Sequence, residues 1–231
     1  MDGNGRWARQ RGLPRLAGHR AGAEAVKRTV EAAGKAGIRY LTLFAFSTEN
    51  WRRPAREVKG LMKLLVDYAA NELETLRSNN IRLRVIGDTR PLPEEVQQAV
   101  EKCEAATEGN TGLTVILALN YGGRWDIVRA CRKLCEKVAR VEIKPEDVDE
   151  ELLSKELATV GVPDPDLVIR TSGEKRISNF LLWQCAYSEL WYTDVLWPDF
   201  GRSEIEQALR DFGRRHRRYG GLGKTRGRNN S

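Results

Sequence analysis

Ile38-Arg39-Tyr40-Leu41-Thr42-Leu43-Phe44-Ala45-Phe46, followed at once by Ser47-Thr48-Glu49-Asn50-Trp51-Arg52-Arg53-Pro54, decides how this chain folds. Nine residues with apolar side chains on both faces read as a strand buried on both sides, the pattern of a central strand in a parallel sheet. Upstream, residues 21–36 carry Val26, Val30 and Ala33 at helical spacing and stop at Gly37. Downstream, Pro54 opens a helical stretch to residue 77 with Val58, Leu61, Leu65, Tyr68 and Leu76 on one stripe, about 36 Å of helix. The alternation continues. Strands are predicted over 81–86, 113–119, 167–170 and 190–193. Helices are predicted over 93–107 (Val96, Ala99, Val100 and Cys103 inward), 124–138, 150–157, 178–186 and 203–217. Strand alternating with helix predicts an α/β fold: an open, mostly parallel central sheet of about six strands flanked by helices. Ligands of such sheets sit beyond the carboxyl ends of the strands, which directs attention to the loops after Phe46, Leu119 and Arg170.

Composition narrows the class. With 41% apolar and 31% charged residues in 231, the chain has a globular balance, and a single domain over 1–219 is expected. No apolar run approaches the roughly 18 residues of a membrane span, and the basic start is not followed by an apolar core segment, so no signal peptide is expected. Four cysteines (Cys103, Cys131, Cys135 and Cys185) are too few for a disulfide scaffold and suit a reducing cytoplasm. Lys plus Arg number 39 against 32 Asp plus Glu, a net charge of +7 that gathers near the C-terminus. Residues 220–231, rich in Gly and Arg, read as a flexible basic tail suited to nucleic acid, an anionic membrane or a phosphorylated ligand.

Some motifs are decoys. Gly3-Asn4-Gly5-Arg6-Trp7-Ala8 fits a dinucleotide fingerprint, but no strand precedes it and no acidic residue closes a βαβ unit. Gly223-Lys224-Thr225 lacks the first glycine of a phosphate-binding loop. Cys131 and Cys135 have no companion ligands for zinc in a chain with two histidines. No two aspartates are adjacent, which excludes an Asp-rich magnesium-diphosphate motif.

What remains converges. Asp2-Gly3-Asn4-Gly5-Arg6-Trp7 puts a carboxylate beside a Gly-rich turn, with Arg15 and His19 just ahead of a helix. The loop after the first strand offers Ser47, Thr48, Glu49, Asn50, Trp51 and Arg53; the loop after residue 170 offers Arg, Gly and Ser again, and Glu189 enters the next strand. Glycines permit close backbone approach, helix N-terminal N–H groups suit phosphate, and Arg adds charge-assisted bonds. The combination predicts a pocket for two phosphorylated ligands with one or two carboxylates for a divalent cation.

The motifs D-G-N-G-R-W (2–7), G-H (18–19), F-S-T-E-N-W-R-R-P (46–54), N-Y-G-G-R (120–124), D-L-V-I-R-T-S-G-E-K-R-I-S-N-F-L-L-W-Q (166–184) and S-E-L-W-Y-T-D-V-L-W-P-D-F (188–200) resemble those of the cis-prenyltransferase family, from Asp2 to about residue 221. The resemblance implies Mg²⁺-dependent, repeated head-to-tail condensation of isopentenyl diphosphate onto farnesyl diphosphate. The implied product is undecaprenyl diphosphate, a lipid carrier precursor for cell-wall polysaccharide, with a product of another length as the alternative. It implies that Asp2 is the catalytic aspartate and a magnesium ligand, that Glu189 is the second metal ligand, and that Asn50 is a candidate proton acceptor. Gly3, Asn4, Gly5, Arg6, Trp7, Arg15 and His19 match the allylic diphosphate site. Ser47, Thr48, Glu49 and Asn50 match a substrate-contacting loop, Trp51 and Arg53 match substrate-positioning residues, and Arg170, Arg176, Ile177 and Ser178 match the isopentenyl diphosphate site. Arg218-Tyr219-Gly220 resembles a C-terminal R-x-G that reaches the partner's site in a homodimer, a use for the basic C-terminus in place of nucleic acid. The cytoplasm, with transient contact at the inner membrane face, is the implied location.

The implied product must grow inside an apolar tunnel, with walls expected from residues 61–76, 41–46, 96–103 and 113–119. Leu119 lies near that tunnel, where a bulky residue bears on product length, so chain length stays open. At roughly 0.8 kcal/mol per buried CH₂-sized group, each five-carbon unit gains on the order of 4 kcal/mol, so release should be slow. Family members carry an apolar strand directly before D-G-N-G-R-W, whereas this chain starts at Met1. Without it the sheet is expected to lack a central strand and Asp2 to hang from a free terminus, with poor stability and weak activity.

Overall fold

A computed structural model describes residues 1–215. Its organising element is Thr114–Tyr121, the strand between two others. In chain order the elements are α1 (Asn4–Gln10), α2 (Arg15–Lys35), β1 (Tyr40–Ser47), a 3-10 turn (Thr48–Arg52), α3 (Ala55–Ser78), β2 (Arg82–Ile86), α4 (Glu94–Thr107), β3 (Thr114–Tyr121), α5 (Gly123–Ala139), a 3-10 turn (Pro145–Asp147), α6 (Glu150–Glu156), β4 (Leu167–Arg170), β5 (Glu189–Tyr192), a 3-10 turn (Trp197–Asp199) and α7 (Arg202–Gly213). β3 pairs in parallel with β1 on one side and β2 on the other, giving the order β1-β3-β2.

β3 shows why a run apolar on both faces was needed. Val115, Leu117 and Leu119 line a cavity against the helices, whereas Ile116 and Ala118 pack on the opposite face with Ile86, Tyr121 and Leu181. On the helix side, Phe46 and Leu119 meet Val58 and Met62 of α3 and Val96 and Val100 of α4. The cavity, about 830 Å³, lies between the strands and helices α2 and α3. It runs from Asn4 and His19 at the strands' carboxyl ends to Asn80 and Gly112 at their amino ends. All four walls expected from the sequence contribute; α2, through Val26 and Val30, is a fifth.

Two expectations are corrected. The parallel α/β architecture holds, but the sheet of about six strands does not: a three-stranded sheet and a separate two-stranded parallel sheet, β4-β5, take its place. Paired strands need a spacing of about 4.8 Å, and β1 and β4 are instead separated by a second cavity of about 550 Å³, lined by Tyr40, Thr42 and Phe44 on one side and Val168 and Arg170 on the other. The helix predicted over 178–186 is a series of turns. Ser178, Asn179 and Leu181 hold φ values of 52°, 61° and 43°, which a right-handed helix cannot accommodate. Conversely, the Gly-rich turn at the start is a short helix, α1. The tail at 220–231, the Arg218-Tyr219-Gly220 match and the end of the last predicted helix lie outside the described residues. Among the described residues, no helix is long and apolar enough to cross a membrane.

Candidate active site

Asp2 is fixed through its backbone. Its N–H donates to Thr171 Oγ1 (3.0 Å), and its carbonyl accepts from Ser172 Oγ (2.6 Å) and Trp197 N (2.9 Å). It therefore does not hang free, contrary to the sequence expectation. Gly3 makes the approach possible: its φ is 102°, and a Cβ there would lie 2.3 Å from Ser172 Oγ. The Asp2 carboxylate accepts from Gly3 N (2.7 Å) and from Arg170 Nη2 (2.9 Å), with Arg6 at 4.0 Å. Arg6 also donates to the Ser172 carbonyl (3.0 Å) and pairs with Glu174 at 3.1 Å, and Glu174 in turn pairs with Arg176. One carboxylate thus stands among the guanidinium groups of Arg6 and Arg170, with Arg176 joined through Glu174. Arg170 Nε is buried with no hydrogen-bond partner among the described residues, a donor left over for an incoming acceptor.

A second cluster forms around Glu57, in the first turn of α3. Its carboxylate takes Arg15 Nε at 3.0 Å, His19 Nε2 at 3.2 Å and Arg53 Nη1 at 3.4 Å. Gly5 lets the Arg15 guanidinium lie against α1; a Cβ there would sit 3.2 Å from its central carbon. Asn4 links the clusters, following Gly3 in the chain and placing Nδ2 3.3 Å from His19 Nδ1. Burial pushes the His19 imidazole below its ordinary value of 6.5, more than its bond to Glu57 restores. Burial raises the Glu57 carboxyl, but bonds from His19 and Arg15 outweigh it and hold the acid below 4.5.

The loop after β1 is the third part. The Ser47 N–H donates to Asn50 Oδ1 (3.1 Å), which orients the Asn50 amide. Glu49 accepts from Asn179 Nδ2 (3.0 Å), beside Ser178, and Thr48 lies against Gly122. Trp51 donates its indole N–H to Asn120 Oδ1 (2.8 Å) and meets Phe46 edge-on at 5.2 Å between ring centres.

Three sequence expectations are placed elsewhere. Trp7 donates to Asp199 (2.7 Å) under the Arg11 guanidinium, so it fastens α1 to the turn at 197–199. Ile177 packs against the sheet and lines the second cavity beside Arg176. Glu189 is not brought to Asp2 within this chain. It is in register with Leu167, whereas Arg170 is in register with Tyr192, three residues or about 10 Å along the strand; its carboxylate binds Arg215 at 2.7 Å. Among the described residues, no group of three or more His, Cys, Asp or Glu side chains is gathered to hold a metal.

Sequence reading missed Glu57, Glu174, Thr171, Ser172, Asn120 and Asn179. Glu57 carried a signal, lying four residues beyond Arg53 at the start of a predicted helix. The others act across 55 or more residues of sequence, or through a turn that periodicity does not encode. In chemical terms, five arginines and His19 share three carboxylates, Asp2, Glu57 and Glu174; His19 and Asn4 line one end of the long apolar cavity, and Arg170 and Arg176 line the second cavity. That suits an amphiphile with a polyanionic head and a hydrocarbon tail.

The family described as undecaprenyl diphosphate synthase matches residues 1–220. An isoprenyl transferase of Clostridium perfringens is 51% identical over 222 residues, spanning 96% of this chain and 88% of that protein. The ditrans,polycis-undecaprenyl-diphosphate synthase ((2E,6E)-farnesyl-diphosphate specific) of Escherichia coli K12 is 53% identical over 221 residues, 96% of this chain and 87% of that one. Among solved structures, lavandulyl diphosphate synthase of Lavandula x intermedia, in complex with dimethylallyl diphosphate, superposes with a TM-score of 0.93 at 38% identity over 95% of both chains. A probable undecaprenyl diphosphate synthase of Campylobacter jejuni gives 0.76 at 35% identity over 87% of this chain and 92% of that one.

Proposed function

This chain belongs to the undecaprenyl diphosphate synthase family of prenyltransferases, and from that membership we propose how it acts on its substrates. It is a transferase that elongates cis-prenyl chains. The reaction is sequential head-to-tail condensation of isopentenyl diphosphate onto farnesyl diphosphate, giving undecaprenyl diphosphate for cell-wall polysaccharide assembly. One observation carries this reading: the Arg15-His19-Arg53 cluster meets the 830 Å³ apolar cavity at His19, beside Asn4, so a diphosphate head there sends its tail between α2, α3 and the strands.

Arg15, His19 and Arg53 bind the allylic diphosphate, with the backbone of Gly3, Asn4 and Gly5 beside it and Arg6 next to Asp2. Arg170, Arg176 and Ser178 bind the isopentenyl diphosphate. A diphosphate leaving group carries about three negative charges, and preorganised guanidinium groups stabilise that charge as it develops. Ser47 orients the Asn50 amide toward the reacting carbons. An amide is too weak a base to keep a proton, so the released diphosphate is the final proton acceptor.

The donor set fits magnesium. Mg²⁺ is usually held by one or two carboxylates together with substrate phosphates, and the Asp2 carboxylate is partly exposed among diphosphate-binding groups. Asp2 would hold the ion, which supplies charge neutralisation at the leaving diphosphate.

A homodimer in the cytoplasm, touching the inner membrane face as product leaves, completes the proposal. A second reading, a product of different length, is favoured by Leu119, fully buried in the cavity wall. The test is incorporation of labelled isopentenyl diphosphate into hydrophobic product with farnesyl diphosphate present. Incorporation abolished by EDTA and restored by Mg²⁺ supports the proposal; none with Mg²⁺ from folded protein contradicts it.

A further inference from the structure

Asn120, the penultimate residue of β3, holds a left-handed conformation, φ 46°, which asparagine adopts more readily than most side chains, and is buried at 5% exposure. Its side chain is used at both ends. Oδ1 accepts the indole N–H of Trp51 at 2.8 Å, and Nδ2 donates to the carbonyl of Asp88 at 2.8 Å; its own carbonyl accepts the Asp88 N–H at 3.3 Å. One residue therefore fastens the loops that follow β1 and β2 to the end of β3. A satisfied buried asparagine is ordinarily a structural pin. Here, however, the group it pins is a tryptophan still 40% exposed, the kind of side chain that otherwise samples several rotamers. The bond fixes the indole edge-on against Phe46, and Phe46 lines the 830 Å³ cavity. Leu119, the residue before Asn120, lines the same cavity. The left-handed backbone at Asn120 turns its side chain toward Trp51 while leaving Leu119 in the wall.

We propose that Asn120 is a positioning residue that presets Trp51, packed on Phe46 of the cavity wall and lining a neighbouring pocket with Arg53, for the allylic substrate. The proposal rests on the reading of Trp51 as a substrate-positioning residue. It concerns binding of the allylic substrate rather than the chemical step, so its signature is a change in KM.

The test uses the full chain and four variants: Asn120→Gly, Asn120→Asp, Trp51→Phe and the Asn120→Gly/Trp51→Phe double. Glycine adopts φ 46° freely and keeps the backbone turn while removing the side chain. Aspartate keeps an acceptor oxygen for the indole. With isopentenyl diphosphate saturating, the KM for farnesyl diphosphate and kcat are measured, and thermal melts confirm folding. Asn120→Gly and Trp51→Phe are each expected to raise KM roughly three- to tenfold, the effect of one lost hydrogen bond, with kcat within about twofold. Asn120→Asp keeps the indole's acceptor but sets an oxygen against the Asp88 carbonyl, so its KM is expected to fall between those of the unsubstituted chain and Asn120→Gly, and the double variant is expected to match Trp51→Phe alone, because both changes remove the same indole bond. An unchanged KM in folded Asn120→Gly, or additive effects in the double variant, overturns the proposal. An unchanged KM in Trp51→Phe overturns the reading of Trp51 itself and the proposal with it.

Discussion

Arg170 Nη2 lies 2.9 Å from Asp2 Oδ2 although 168 residues separate them in sequence. The contact joins the end of β4 to the residues ahead of α1, and the hydroxyls of Thr171 and Ser172 secure the same junction through the Asp2 backbone. The carboxylate is therefore presented by a backbone clamp that does not depend on it. Asp2→Ala is expected to lower kcat by about 100- to 1,000-fold, the loss of one preorganised charge-stabilising group. Its melting temperature should stay near that of the unsubstituted chain, because the clamping bonds remain. A large drop in thermal stability would show that the carboxylate itself holds the fold.

The Glu57 cluster carries a pH dependence whose sign is fixed. His19 and Glu57 are both held below their ordinary values of 6.5 and 4.5. In each case the unfolded chain binds protons more readily, so stability is present above the ordinary value and is lost as pH falls. The His19 contribution is expected to fade as pH drops below 6.5, and that of Glu57 below 4.5. Glu57→Gln removes a bond that favours the charged imidazole, so the His19 titration, followed by NMR, is expected to move further down. An upward move would contradict the assignment.

Leu119 is fully buried on the helix-facing side of β3, against Phe46 and the helices α3 and α4. Leu119→Ala should cost about 2–5 kcal/mol of stability and open the cavity wall. The product distribution is expected to shift toward longer chains; an unchanged distribution would remove Leu119 from length control.

Retention of the growing chain should make release slow. With each five-carbon unit gaining on the order of 4 kcal/mol on burial, detergent or membrane is expected to speed multiple turnover while leaving a single turnover unchanged. Equal multiple-turnover rates across detergent concentrations would argue against burial of the product.

Much of this was readable before any coordinates, for local reasons. The run at 38–46 and the stripe from Val58 to Leu76 encode their environment in periodicity, and β1 and α3 follow with boundaries moved by one or two residues. The Asp2, Arg6, Arg15, His19, Asn50 and Trp51 motifs were legible because each sits in a short segment. What failed is non-local or depends on backbone sign. The turns at 178–186 follow from left-handed residues that helical spacing does not reveal. The split between β1 and β4 is a matter of which strand edges meet, and the placement of Glu189 depends on the β4-β5 register. Glu57 and Asn120 became functional candidates only once their partners were side by side.

The most direct measurement is one incubation with farnesyl diphosphate, labelled isopentenyl diphosphate and Mg²⁺, with and without EDTA, its products resolved by chain length. The account predicts a Mg²⁺-dependent ladder ending near eleven isoprene units. Folded protein that yields no ladder with Mg²⁺ present, or one indifferent to EDTA, would contradict it.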